Sequence, residues 1–422
     1  MPIKQLTVEN FKGIAGEKTF DIRPITIFLG GNSSGKSSVI HAIATMAQTI
    51  KLGNSAPALV LDDDFAQVHL GRYIEIAHSK NYKDPMRFGV NIFHRKLNVQ
   101  TLAGKSIDLS NGVQADYSFK STMRTQEVFV ENAVIQADSV KVEIKKPAKG
   151  AGYSATLEGF DEKQKFSVER YKNYFFRVEN IDFTKPEFVS SFLFLETAQQ
   201  VVEEAMRTVL YLGPFRQAPL RRYPFRGTTA LEVGSQGEAA ITMLANESIQ
   251  QQTRTHLKEI NQWLVQLGLA RTIELSRVGS SDLFDVKLTM IDGDKLPIAD
   301  LGYGLSQVLP VLTQCSYAPE FSTLLFEQPE LHLHHGAARK LAKVFCETAE
   351  KKKSHVVLET HSAELINEFF QIVKTGGLQV EDLAIYAVER VNGESQYTRL
   401  NVQFDGKHVE VEQHQWAHLL DV

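Results

Sequence analysis

Apolar positions along the chain follow two different periods, and the changes between them mark out its elements. Three short runs, Ile25 to Leu29, Thr323 to Phe326 and His355 to Leu358, are apolar or β-branched at nearly every position. Runs of that length without a polar alternate suit strands covered on both faces, as in a parallel sheet. Helical spacing sets in over Ser38 to Gln48, with Val39, Ile40, Ile43, Met46 and Ala47, and returns over 187–206, 239–267, 304–313 and 336–351. Between about Phe88 and Val178 the pattern shifts to short alternating runs such as Val140-Lys141-Val142-Glu143-Ile144. Turn-forming stretches at Ser110-Asn111-Gly112 and Pro147 to Gly152 separate them. The expected fold class is α/β, with a mostly parallel core sheet, flanking helices and a β-rich inserted lobe. The predicted divisions are 1–87, 88–205 and 206–422. A hairpin over 384–390 and 398–402 and a helix from Val409 to Leu420 are expected to close the chain.

Composition narrows the class. At 422 residues and 43% apolar content the chain buries a sizeable core, and no segment approaches the roughly 18 apolar residues of a membrane span. Met1-Pro2-Ile3-Lys4-Gln5 lacks the apolar stretch of a secretory signal. The two cysteines, Cys315 and Cys346, lie inside apolar patterns and read as buried hydrophobes rather than a bridge or metal site. A cytoplasmic protein with no membrane partner is expected. Net charge is −4, so the surface as a whole is not built to attract nucleic acid. One local exception is Arg216, Arg221, Arg222 and Arg226, interleaved with Phe215, Tyr223 and Phe225. That segment suits either the phosphates of DNA or a packed structural role.

Candidate chemistry begins where the first buried strand ends. Gly30-Gly31-Asn32-Ser33-Ser34-Gly35-Lys36-Ser37 fits the phosphate-loop pattern GxxxxGK[ST], with the predicted strand before it and the predicted helix after it. Glycines let such a loop turn tightly enough for backbone N–H groups to converge on a phosphate at the helix N-terminus. The candidate nucleotide contacts are Gly30, Asn32, Ser33, Ser34, Gly35, Lys36, Ser37 and Ser38. Lys36 is expected to reach the β- and γ-phosphates and the Ser37 hydroxyl to join a Mg²⁺ shell. A second acidic ligand is expected on a neighbouring strand, and Thr323-Leu324-Leu325-Phe326-Glu327 supplies an apolar strand ending in a carboxylate. Val356-Val357-Leu358 likewise leads into Glu359-Thr360-His361-Ser362, placing His361 where it can sense a γ-phosphate.

The order of NFKGI near the start, GGNSSGKSS, LLFEQPELHLHH and ETHS resembles the ABC-type ATPase head of the RecF, SMC and overcoming-lysogenization-defect group. More narrowly it is similar to small bacterial AAA-family ATPases, several of which serve in antiphage defence. Tyr211 to Arg216 with Arg221-Arg222-Tyr223, and Asp300 to Pro310, also match that subgroup, whereas the β-rich middle matches poorly. The resemblance implies ATP and Mg²⁺ as cofactors, Lys36 and Ser37 on phosphate and metal, Glu327 as the Walker B acid and metal ligand, and His361 as the switch histidine. It places Leu301 to Gln307 where the family carries its signature motif, which completes the site of a second subunit. Gly302, Gly304, Ser306 and Gln307 are the candidate contacts there, and an ATP-dependent homodimer or higher homo-oligomer is implied.

Two departures from the family bear on catalysis. A glutamate follows the Walker B acid in typical ABC ATPases and polarises water; here Gln328 stands there, and an amide orients water without accepting a proton. Glu330 is the nearest carboxylate to replace it, against a structural reading at a helix start. The signature serine position holds Gly302, with Ser306 and Gln307 displaced along the next turn. Hydrolysis that is slow, or tied to a partner, is therefore expected. His332, His334 and His335 lack a matching Cys or His pair and read as structural. Some relatives append a metal-dependent TOPRIM nuclease after this point. The chain beyond His361 is too short for one, so nuclease action is expected from a separate effector protein, with DNA as a further partner.

Overall fold

The computed structural model describes residues 1–53, 57–93, 98–100, 106–109, 112–122, 124, 126–147, 152–159, 163–179, 184, 186–225, 230–250, 253–406 and 409–411. Arg226, most of the two predicted turns at 110–112 and 147–152, and the predicted closing helix beyond Val411 lie outside them. Val409–Val411 itself is a strand paired with Val402–Phe404. The chain forms two compact units, one of Met1–Ile22, Ser33–Val209 and Glu389–Gln396, the other of Arg23–Asn32, Leu210–Val388 and Tyr397 onward.

The first unit is built on an antiparallel sheet of nine strands among the described residues. Their order is Phe175–Val178, Gln164–Lys172, Tyr153–Glu158, Val140–Lys145, Val128–Ala137, Val113–Ser121, Met86–Ile92, Ile3–Glu9 and Lys18–Asp21. Alternation does what a one-sided sheet requires: Val140, Val142 and Ile144 are buried while Lys141, Glu143 and Lys145 are not. The N-terminal strand Ile3–Glu9 pairs with Met86–Ile92, so the β-rich lobe shares its sheet with the start of the chain. Two helices, Lys36–Lys51 and Pro186–Arg207, pack together here. Tyr174, fully buried against the rings of Tyr117 and Phe119, donates its hydroxyl to the Met46 carbonyl at 3.2 Å.

The second unit carries the parallel sheet. Thr323–Glu327, His355–Thr360, Ile25–Leu29 and Leu383–Val391 are neighbours in that order, each pair parallel, with Val209–Leu212 and Glu394–Arg399 at the two edges. All five positions of Ile25–Leu29 and of Thr323–Glu327 are buried, as continuous apolar runs require when helices cover both faces. The helices are Ala240–Gln250, Thr255–Leu267, Tyr303–Tyr317, His335–Lys352 and Ala363–Lys374. The single helix expected over 239–267 is interrupted. Arg254 stands at φ 49°, and both oxygens of the Glu247 carboxylate accept from the next helix, from the N–H groups of His256 and Leu257 at 2.9 Å each. A side chain of the first helix thus satisfies the orphan donors of the second. Both cysteines are free and buried, and burial pushes each thiol up to about 12.

Candidate functional site

Three adjacent strand ends define the site in the second unit. Their registers set Leu29 beside Thr360 and Glu327 beside Glu359, so the chain leaves the sheet on one side into Gly30, Gln328 and His361. In open parallel sheets the carboxyl ends of the strands are where ligands bind.

Gly30, Gly31 and Asn32 begin the phosphate loop within this unit, and from Ser33 the loop belongs to the first unit. There Ser33 has φ 62° and Gly35, at φ 111°, caps the helix Lys36–Lys51 in a backbone conformation that glycine adopts without strain. Ser34, Lys36 and Ser38 are buried, Ser37 is half-buried, and the Ser38 N–H bonds the Gly35 carbonyl at 3.0 Å. Two contacts brace the loop from behind. The Ser395 hydroxyl donates to the Ser34 carbonyl at 2.7 Å, and its N–H donates to the Gly13 carbonyl at 2.8 Å. A Cβ at Gly13 would fall 2.1 Å from the Ser395 hydroxyl, which explains why glycine follows Asn10-Phe11-Lys12. The buried Ser34 hydroxyl has no hydrogen-bond partner among the described residues, and a phosphate oxygen suits it.

At the acidic strand, Glu327 is 5% exposed and its Oε1 accepts the Tyr211 hydroxyl at 2.7 Å. Burial, followed by the charge of Glu327, pushes the Tyr211 phenol far up, so it stays a donor. Gln328 is in the left-handed region at φ 44°; its N–H donates to the Glu359 carbonyl at 2.8 Å and its side-chain amide stands 3.5 Å from His361 Nδ1. Glu330 is buried, accepts the Thr360 hydroxyl on one oxygen and has no hydrogen-bond partner among the described residues on the other. Burial raises its pKa, outweighing Thr360, His361 and Arg216. A raised acid favours folding below its unfolded value of about 4.3 and loses that contribution as pH rises through the folded value. Glu330→Gln should therefore gain stability relative to the parent as pH is taken from 4 to 8. Melting curves whose difference is constant across that range would show that Glu330 titrates alike in the native and unfolded states, with no raised value.

The signature-position helix Tyr303–Tyr317 is capped by Gly302, which is exposed at φ −58° with open space around its Cα. Tyr303 is 64% exposed, whereas Ser306 and Gln307 are buried and the Ser306 hydroxyl donates back to the Tyr303 carbonyl. Gly304 is fixed by a close approach, since a Cβ there would meet the His332 carbonyl at 2.6 Å. Two of the histidines make local contacts. The His334 ring accepts the Gly336 N–H at the start of its helix, His335 pairs with Glu364 at 2.8 Å, and among the described residues no three His, Cys, Asp or Glu side chains cluster as a metal cage. Magnesium needs none, because it is held by one or two protein oxygens plus phosphate and water.

The arginine cluster divides. Arg221 and Arg222 are exposed and face Asp300 and Asp285, while Arg216 is 8% exposed beneath the acidic strand's end. Sequence reading did not single out Tyr211, Ser395 or Glu359. Tyr211 carried one signal, its place in the same Tyr-Leu-Gly-Pro-Phe-Arg segment as Arg216.

The family described as "AAA ATPase domain" matches residues 1–204, and the one described as "AAA domain, putative AbiEii toxin, Type IV TA system" matches 242–367. No curated protein matches. Among solved structures, the SMC head domain from Thermotoga maritima is similar at 11% identity and TM-score 0.40, over 95% of this chain and all of that one. An SMC head bound to the C-terminal winged-helix domain of ScpA is similar at 12% and 0.45, over 95% and 98%. An Smc head with an extended coiled coil, bound to the C-terminal domain of ScpA derived from Pyrococcus furiosus, is similar at 10% and 0.44, over 95% and 96%. The phosphate loop falls within the stretch that matches the AAA ATPase domain family, and the buried strand ending in Glu327 and the histidine beyond the strand between them fall within the stretch that matches the second AAA family.

Proposed function

We propose that the chain binds ATP with Mg²⁺ and hydrolyses it slowly, closing as a dimer in the ATP state and signalling to DNA or to a separate effector protein. Bacterial defence or DNA maintenance in the cytoplasm is the setting this reading favours; no described helix is long and apolar enough to cross a membrane. The observation that carries the reading is the alignment of Gly30, Glu327 and His361 at the ends of three neighbouring parallel strands. Gly30, Asn32, Ser33, Ser34, Gly35, Lys36 and Ser38 would cradle the phosphates, and Ser37 and Glu327 would hold Mg²⁺. The metal supplies charge neutralisation at the transferring phosphoryl group. Tyr211 fixes one oxygen of Glu327. His361 and Gln328 orient water, with Glu330 the candidate base. Phosphate release by the parent, lost in Lys36→Ala and Glu327→Gln, tests this; release that survives both changes would reject the site. The second reading, a nucleotide-dependent sensor with little hydrolysis, is favoured by Gln328.

Dimer closure is assigned to the exposed face at Gly302, with Gly304, Ser306 and Gln307 shaping the helix start behind it. A side chain at Gly304 would collide with backbone, so Gly302→Glu, where there is room, is the cleaner probe. It should leave ATP binding by the single chain within about threefold while removing any mass increase that ATP induces in the parent. An ATP-bound structure in which Gly302 lies far from every γ-phosphate would sink the assignment.

A further inference from the structure

Arg216 belongs to the segment that suited either the phosphates of DNA or a packed structural role, and it is buried among backbone oxygens. One terminal nitrogen donates to the Gln307 carbonyl at 3.3 Å; the other donates to the Glu327 and Gln328 carbonyls at 3.1 Å each. The side-chain Nε has no hydrogen-bond partner among the described residues. The three acceptors lie on two elements. Glu327 and Gln328 are the end of the acidic strand and the left-handed residue after it, and Gln307 is in the opening turns of the signature-position helix. Five residues before Arg216, Tyr211 donates to the Glu327 carboxylate itself. One short segment therefore grips the acidic residue twice, by its side chain and by its backbone, and reaches the helix with the same guanidinium.

Burying a cation against neutral carbonyls is expensive unless it accomplishes something else. Burial lowers the Arg216 pKa to about 10, with Glu330 and Tyr211 pulling it back up, so at neutral pH it remains charged. A guanidinium is suited to this place because its planar fork serves several carbonyls at fixed angles, which an ammonium on a flexible stem does not. The left-handed Gln328 is a second cost at the same point of the chain. Strain and a desolvated charge together hold one peptide corner in place.

We propose that Arg216 is a positioning residue that couples the Glu327–Gln328 corner to the helix that begins at Gly302. It sets the Glu327 carboxylate for Mg²⁺ and transmits the state of that corner to the proposed dimer face. The proposal rests on the ATP-site reading above.

The test uses the full chain carrying Arg216→Met, which keeps length without donors, and Arg216→Lys, which keeps charge without the fork. ATP affinity is measured by calorimetry with Mg²⁺ and with EDTA, alongside kcat, KM and the melting temperature. In both variants, ATP affinity in EDTA should stay within about threefold of the parent. The gain in affinity on adding Mg²⁺ should shrink at least fivefold, and kcat should fall at least tenfold with KM unchanged. A purely structural role predicts a lowered melting temperature with the Mg²⁺ gain and kcat preserved, and that result overturns the proposal. Should Arg216→Met fail to fold, Arg216→Lys decides alone: parent-like values for the Mg²⁺ gain and kcat reject the coupling. A parent that binds no ATP rejects the site reading instead, an outcome distinct from both. If the parent binds ATP without turning it over, the Mg²⁺ gain remains as the deciding measurement.

Discussion

Lys36→Ala is expected to lower ATP affinity at least tenfold, about 1.4 kcal/mol. Lys36 is the cation of the phosphate loop and is buried at the first position of its helix. Charge-assisted hydrogen bonds to phosphate are each worth about 1.5–3 kcal/mol, so loss of this group should exceed the effect of any single serine in the loop. Because the helix interior is formed by Val39, Ile40, Ile43 and Met46, truncating Lys36 should leave the fold intact. The check is calorimetric titration of ATP into both proteins, with melting curves to confirm that each is folded. Equal affinity would remove the loop from the nucleotide site.

The second large effect concerns the corner after Glu327. Glu327→Gln should abolish turnover by removing the charge proposed to hold Mg²⁺, and the Tyr211 hydroxyl would still have an oxygen to donate to. Gln328→Glu should do the opposite. It changes one atom type at a position whose backbone is already held by the Glu359 carbonyl and Arg216. A positioned general base typically contributes roughly 10²–10⁴-fold, so a gain of that order is expected if only the base is missing. If Glu330 already serves, the gain vanishes and Glu330→Gln becomes the change that stops hydrolysis. Single-turnover rates of the three variants distinguish these cases. Rates at the parent's level for both Gln328→Glu and Glu330→Gln would make the slow sensor the better reading.

The elements that local sequence made legible are those whose residues are contiguous. The phosphate loop is one run of eight positions, and Glu327 and His361 each follow a short apolar strand, so the pattern of burial and the motif coincide. Parallel strands buried on both faces carry no alternate polar residues, which is why their ends were readable without a partner in view. The histidines at 332, 334 and 335 were read as structural because a metal cage needs spacing that the sequence does not have.

What the tertiary structure decided lies in pairs far apart along the chain. Tyr211 meets Glu327 across 116 positions and Ser395 meets Ser34 across 361. Nothing in the local pattern around Ser395 distinguishes it from an ordinary strand residue, and Tyr211 carried only its place in the segment that ends in Arg216. Arg216 is the sharpest case. In sequence it sits among Arg221 and Arg222 and shares their charge, but the fold buries it and leaves the other two at the surface facing carboxylates. The break between the helices at 240–250 and 255–267 has the same origin, since Glu247 caps a helix whose start helical periodicity alone did not mark. The N-terminal strands joined the long antiparallel sheet for a related reason. Periodicity fixes which face of a strand is apolar, whereas the choice of partner strand depends on which edge the rest of the chain leaves open, and that is settled only when the whole sheet forms.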